Sequence, residues 1–106
     1  MVITGGANVF PAEVEAALLE HPGVADVAVI GLPDPEWGQR VHALWQPRDS
    51  GRPPAVDALR EHCRARLVPY KVPKSFECVA ALPRSEAGKL SRSALVEART
   101  QGGGSS

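Results

Sequence analysis

The nine residues from Val24 to Leu32 constrain the fold of this chain more than any other stretch. Asp26 alone interrupts a run otherwise made of Val, Ala, Ile, Gly and Leu. The run is far short of the roughly 20 apolar residues that span a bilayer. Its β-branched content and its bounding turn signals, Pro22-Gly23 on one side and Pro33-Asp34-Pro35 on the other, read as a strand covered on both faces. The remaining sequence must therefore supply apolar layers for two sides of a sheet.

The segments around it supply them. Val2-Ile3-Thr4 is a short strand stopped by Gly5-Gly6, a pair that tolerates positive φ and close approach by another backbone or a ligand. Pro11 suits a first helical turn. Val14, Ala17 and Leu18 then share one helix face, with Glu13, Glu15 and Glu20 outside it. After the strand from Val24 to Leu32, Pro33-Asp34-Pro35 predicts a loop carrying Glu36, Trp37 and Gly38. Val41, Ala43 and Trp45 alternate against Arg40, His42 and Gln46 as a second strand. Residues 49–54 form a loop, and Val56, Leu59, Cys63 and Leu67 recur at helical spacing up to Pro69. Tyr70 to Lys74 is expected to be extended, because each proline biases its predecessor away from helix. Phe76, Cys78 and Ala80 alternate as a third main strand, and Leu90, Ala94 and Leu95 mark a last helix. The order β-α-β-β-α-β-α predicts an α+β fold, a small mixed sheet of about three main strands flanked by helices. Residues 1–100 make one domain, and 101–106 a flexible Gly/Ser tail or linker.

The balance of charge narrows the function. Twelve acidic and twelve basic residues cancel, so no net field argues for nucleic acid or an anionic membrane. No apolar run is long enough to span a membrane, and nothing resembles a signal peptide. Cys63 and Cys78, without metal spacing, read as reduced, buried thiols of a cytoplasmic protein. His21, His42 and His62 are scattered and read as surface or half-buried residues, so no metal site is expected. Gly88-Lys89 does not open a phosphate loop, because Pro83 and Leu90 stand where that motif needs Gly and Ser or Thr. No serine lies in a nucleophile elbow. The chain holds no self-sufficient catalytic site and is expected to complete one that belongs to another domain.

Four blocks, taken in order, carry a resemblance. Gly5-Gly6-Ala7-Asn8-Val9-Phe10-Pro11-Ala12-Glu13-Val14-Glu15 is similar to the Gly-Gly-x-Asn-(Val/Ile)-x-Pro-x-Glu-(Val/Ile)-Glu signature of acyl-CoA synthetases. Pro33-Asp34 with Glu36-Trp37-Gly38, then Tyr70-Lys71-Val72-Pro73-Lys74, and last Pro83-Arg84 to Gly88-Lys89 match further blocks. Together they cover nearly all of residues 2–99. The chain resembles the small C-terminal lid domain of the adenylate-forming (AMP-binding) acyl-CoA synthetases.

The resemblance implies a two-step reaction. A carboxylic acid, a fatty acid or another carboxylate, attacks ATP to give an acyl-adenylate, and coenzyme A then displaces AMP. The partner is a larger N-terminal domain of the same enzyme, which holds ATP, Mg2+ and the acid, while the small domain rotates between steps. Lys89 matches the lysine of the first step, where an ammonium stabilises charge gathering on the phosphate. Gly5 and Gly6 match the loop lining the pantetheine tunnel. Trp37, Tyr70 and Lys74 match positions that contact the coenzyme A nucleotide in some members, whereas Val72 replaces a basic residue that some relatives carry. The hinge and phosphate loop would precede Val2, so the chain is expected to be a fragment, inactive alone. Two alternatives are a stand-alone binding module with the lid fold and the lid of an amino-acid-activating synthetase. The Gly-Lys motif speaks against the first, and the Pro-Ala-Glu-Val-Glu form of the first block against the second.

Overall fold

A computed structural model describes residues 1–104, the last four by their backbone alone; residues 105–106, part of the expected tail, lie outside the described residues. Three strands form the main sheet: β3 (Val24–Asp34), β4 (Gly38–Pro47) and β5 (Ser75–Cys78), in the order β3-β4-β5. β3 and β4 are an antiparallel hairpin, and β5 runs parallel to β4 after a crossover through α2 (Val56–Arg64). The sheet is mixed and the fold α+β, as the order of apolar segments predicts. A second hairpin, β1 (Val2–Thr4) with β2 (Ala7–Val9), packs across β4. Helix α1 (Pro11–Leu19) follows it, and α3 (Arg92–Gly104) closes the chain, its backbone running into the Gly-rich segment.

The long strand β3, although at an edge of the sheet, is covered on both faces. Val27 and Val29 join Val14 and Leu18 of α1, Leu59 and Cys63 of α2, and Trp45 of β4 in one core. Ala28, Ile30 and Leu32 point the other way, to Leu82 and to Leu95 of α3. Each of these β3 side chains is at least nine-tenths buried, so the period-two alternation places apolar residues on both sides. The alternation predicted for β4 is hidden in the same way. Val41, His42, Ala43, Leu44 and Trp45 are all buried, because α1 and α2 cover one face and α3 the other.

Several local expectations are corrected. β3 runs on through Pro33 to Asp34, since an edge strand tolerates proline, and only Pro35 to Trp37 form the loop. Pro69–Lys71 is a 3-10 turn within the segment expected to be extended. Cys63 is buried, but Cys78 is exposed at the last residue of a four-residue edge strand, and Ala80 lies beyond it. Val56 sits at the exposed start of α2. Leu90 bridges back to Arg84 ahead of α3, Ala94 faces outward, and Leu95 anchors that helix.

His42 is buried in a polar network, not at the surface. Its Nδ1 lies 2.6 Å from Ser75 Oγ and its Nε2 2.9 Å from Glu77 Oε1. Arg99 of α3 donates to both Glu77 oxygens at 2.8 and 2.6 Å. Burial lowers the His42 pKa, and the Arg99 hydrogen bond, with His42 behind it, pulls Glu77 down to about 2. A neutral His42 then donates from Nε2 to an ionised Glu77 and accepts the Ser75 hydroxyl at Nδ1. The network ties α3 to the sheet.

Candidate functional site

Two polar hairpin turns stand at opposite ends of β3, and glycine makes both. The β1–β2 loop is Gly5-Gly6 between the paired residues Thr4 and Ala7, with φ of +56° and +84°. A two-residue turn with positive φ at both centres is the type that matches strand twist, and it favours Gly-Gly. Val2-Ile3-Thr4 and Ala7-Asn8-Val9 flanking Gly-Gly are the sequence signal for the hairpin, whose second strand β2 the segment order above leaves out.

Gly5 is locked to the β3–β4 loop. Its N–H donates to the Trp37 carbonyl at 2.9 Å, and a Cβ on Gly5 would stand 2.9 Å from Trp37 Cε3. Asp34 Oδ1 accepts from the N–H groups of Glu36 and Trp37, each at 2.9 Å, which fixes that loop. Lys74 Nζ sits 4.6 Å above the Trp37 ring, within cation–π range. The Lys74 N–H donates to the Val41 carbonyl at 2.9 Å, so β4 holds its backbone. Thr4, Trp37, Pro69, Tyr70 and Lys74 line a cleft of about 260 Å³. Its rings are half-exposed, whereas Thr4 is buried and its Oγ1 has no partner among the described residues. The residues the resemblance assigns to coenzyme A therefore converge, although they come from three separate segments. Gly6 borders this group with open space where its Cβ would be.

A wider cleft, of about 740 Å³, shares Pro69 and Lys74 with the first and continues to Val72, Arg60 and Arg64. Arg60 pairs with Asp57 at 3.0 Å and Arg64 with Glu61, both exposed pairs one helical turn apart. Exposed pairs of this kind contribute little to stability. Three cations thus border an apolar floor. Periodicity marks Arg60 and Arg64 only as the outer face of α2, so sequence alone does not relate them to Lys74.

Lys89 stands elsewhere. Ser85 and Lys89 close a three-residue hairpin loop: the Ser85 N–H donates to the Lys89 carbonyl at 2.8 Å, and the Gly88 N–H to the Ser85 carbonyl at 2.8 Å. Gly88, at φ +79°, takes the left-handed last position that such loops reserve for glycine. Lys89 is exposed, and its ammonium has no acidic partner among the described residues. The turn hangs from the start of β3 through Arg84, whose Nε and NH2 donate to Asp26 Oδ2 and Oδ1 at 2.7 Å each. That hydrogen bond holds the Asp26 carboxyl below its usual pKa. Asp26 and Asp34 are eight residues apart on one strand, so at about 3.3 Å per residue the two turns lie some ~26 Å apart. The structure joins Gly5, Gly6, Trp37, Tyr70 and Lys74 and keeps Lys89 apart from them.

Among the described residues, no group of three or more His, Cys, Asp or Glu side chains is placed to hold a metal ion. No helix of the described residues is long and apolar enough to cross a membrane.

A mixed sheet with helices on both faces and two glycine turns at its ends defines a small α+β domain. The profile of the AMP-binding enzyme C-terminal domain matches residues 13–89, and the chain belongs to that family. It is 44% identical over 96 residues to a sulfoacetate–CoA ligase of Cupriavidus necator, covering 91% of this chain and 19% of that protein. It is 46% identical over 99 residues to a 2-succinylbenzoate–CoA ligase of Bacillus velezensis, covering 93% and 20%. The structure of a Mycobacterium tuberculosis fatty acyl CoA synthetase superposes with a TM-score of 0.87 at 39% identity, over 95% of this chain and 20% of that one. The chain thus spans about a fifth of the length of the relatives it matches.

Proposed function

We propose that this chain is the moving C-terminal domain of an AMP-forming acid–CoA ligase, and that its two glycine turns serve the two half-reactions in alternation. The observation that carries this reading is the gathering of Trp37, Tyr70 and Lys74 around one cleft, with Gly5 against Trp37, while Lys89 projects from the far end of β3 with no acidic partner among the described residues.

In the first half-reaction, a larger ATP-binding domain brings the acid to ATP, and the Lys89 turn docks beside the reacting phosphate. A carboxylate attacking an anionic phosphoryl group concentrates negative charge, and an ammonium free of internal partners meets it at no cost in broken contacts. In the second, the domain turns its other end inward. Gly6 leaves its side of the turn open to the pantetheine arm, and the adenine stacks on the half-exposed Trp37 ring. Lys74 meets a phosphate. The neighbouring Arg60 and Arg64 extend that positive rim and supply cations where Val72 supplies none. Mg2+ and the acid belong to the other domain, and the chain by itself turns over nothing. The unpaired thiols Cys63 and Cys78 suit a reducing cytoplasm.

Trp37→Ala tests the coenzyme A end. In the full-length ligase it should raise the KM for coenzyme A about tenfold or more, the value of roughly 1–3 kcal/mol for stacking one base, and leave pyrophosphate exchange unchanged. An unaltered KM for coenzyme A would remove the assignment.

A further inference from the structure

We infer that Arg84 is a positioning residue for Lys89: its guanidinium ties the turn that delivers the lysine to the start of β3. The inference rests on the assignment of Lys89 to adenylation made above.

Three bonds from one planar group carry it. Nε and NH2 meet the two Asp26 oxygens at 2.7 Å each, the fork-to-carboxylate geometry that fixes direction as well as distance. NH1, on the other side of the same plane, donates to the Gly88 carbonyl at 3.1 Å, the peptide group that leads into Lys89. The peptide unit carrying the lysine is thereby referenced to β3, one side of which is packed in each core. Leu82 and Leu90 seat the two stems against the second core, and the turn beyond them has little else to hold it. Residues 83 to 89 are exposed. Beyond Arg84, its contacts are the short bonds of its own hairpin: Ser85 with Lys89, Gly88 with Ser85, and the Arg84–Leu90 bridge. Those bonds fix the turn's shape and say nothing of its direction. A three-residue loop on an exposed hairpin swings as a unit unless something ties it down, and Arg84 is the tie.

A second ion pair flanks the turn on its far side. Arg92, the first residue of α3, donates to both Glu15 oxygens at 2.7 Å, and Glu15 Oε2 also accepts the Val29 N–H at 2.9 Å. Both ends of the segment 84–92 are therefore fastened by arginine to acidic side chains on or against β3. Only Arg84 reaches the turn itself. A lysine at position 84 would restore a charge opposite Asp26, but as a point donor it could not serve the carboxylate and the Gly88 carbonyl together.

The test has a structural and a kinetic arm. In the 106-residue chain, 15N relaxation reads the order of the Gly88 and Lys89 amides. Arg84→Ala should lower both from the value of ordered backbone, about 0.85, to below about 0.6. Order parameters unchanged in Arg84→Ala would overturn the inference. In the full-length ligase, supplied with the acid giving the fastest wild-type pyrophosphate exchange, Arg84→Ala should cut the kcat of exchange about ten- to a hundredfold, the scale of a 1 Å misplacement. The KM for ATP and the thioester rate from supplied acyl-adenylate should hold. Arg84→Lys should recover only part of the loss. In a Lys89→Ala background, Arg84→Ala should change exchange no further, because Arg84 acts through Lys89. Equal loss in both half-reactions, or a full loss added to that of Lys89→Ala, would make Arg84 merely structural. If Lys89→Ala leaves exchange intact, the adenylation assignment falls. If Lys89→Ala abolishes exchange and Arg84→Ala leaves it at wild type, only the present inference falls.

Discussion

Replacing Gly5 and Gly6 one at a time by alanine separates backbone strain from contact at the coenzyme A end. Both residues have left-handed φ, +56° and +84°, and an L-residue there costs roughly 1–2 kcal/mol. The gain from a stiffer unfolded chain, about 0.4–1 kcal/mol, is common to both and cancels between them. What differs is the neighbour. A Cβ at Gly6 meets nothing within 4 Å, whereas one at Gly5 stands 2.9 Å from Trp37 Cε3 and 3.3 Å from Cζ3. The indole is 41% exposed, so it yields by swinging outward, and that movement gives up its contact with Lys74. An exposed cation–π pair contributes about 0.5–1 kcal/mol, and lost packing of the ring adds a comparable amount. Gly5→Ala should therefore destabilise the chain by ~1–2 kcal/mol more than Gly6→Ala. At about 4–8 °C per kcal/mol for a domain of this size, its melting midpoint should lie some ~4–16 °C below that of Gly6→Ala. Thermal melts of the two variants followed by circular dichroism measure the gap. Tryptophan fluorescence should report a more solvated Trp37 only in Gly5→Ala, since Trp45 is buried. Equal midpoints with equal emission would refute the packing of Trp37 on Gly5.

Two further predictions concern acid and anions. The folded pKa values of His42 and Glu77 both lie below their ordinary values of 6.5 and 4.5, so each stabilises the fold fully above its unfolded value and ceases to as pH falls through its folded one. The melting midpoint should be level from pH 8 to 7 and fall steadily below pH 6.5; a midpoint level down to pH 3 would contradict the network. Arg60→Ala with Arg64→Ala in the full-length ligase should raise the KM for coenzyme A and weaken its salt dependence, and leave that for dephospho-coenzyme A less affected. An identical salt dependence would take both arginines out of the anion path.

Much of the fold is legible in the sequence because the signals are local. The apolar run 24–32 specifies a strand buried on both faces, and Val14, Ala17 and Leu18 specify the inward stripe of α1. Less legible are features that depend on what covers a residue. His42 alternates like an outward residue, yet α3 closes over its face and Glu77 and Ser75 satisfy it. Cys78 alternates like an inward one, yet β5 ends there at an edge. The site divides in the same way. Motif spacing picks out Gly5, Gly6, Trp37, Tyr70, Lys74 and Lys89 one by one. That the first five converge and the sixth stands at the other end of β3 follows from pairings across 30 or more residues. The Arg84–Asp26 pair is separated by 58 positions, and no local pattern announces it.

The central claim is that the two turns serve different half-reactions, and paired substitutions in the full-length ligase test it most directly. Pyrophosphate exchange and thioester formation from supplied acyl-adenylate are measured separately in Lys89→Ala and Gly6→Leu. Lys89→Ala should lose exchange, by about a hundred- to a thousandfold for one electrostatic donor, and keep thioester formation. Gly6→Leu, whose side chain enters space that is open in this structure, should show the reverse. Parallel loss of both activities in either variant would contradict the division of labour between the two ends of β3.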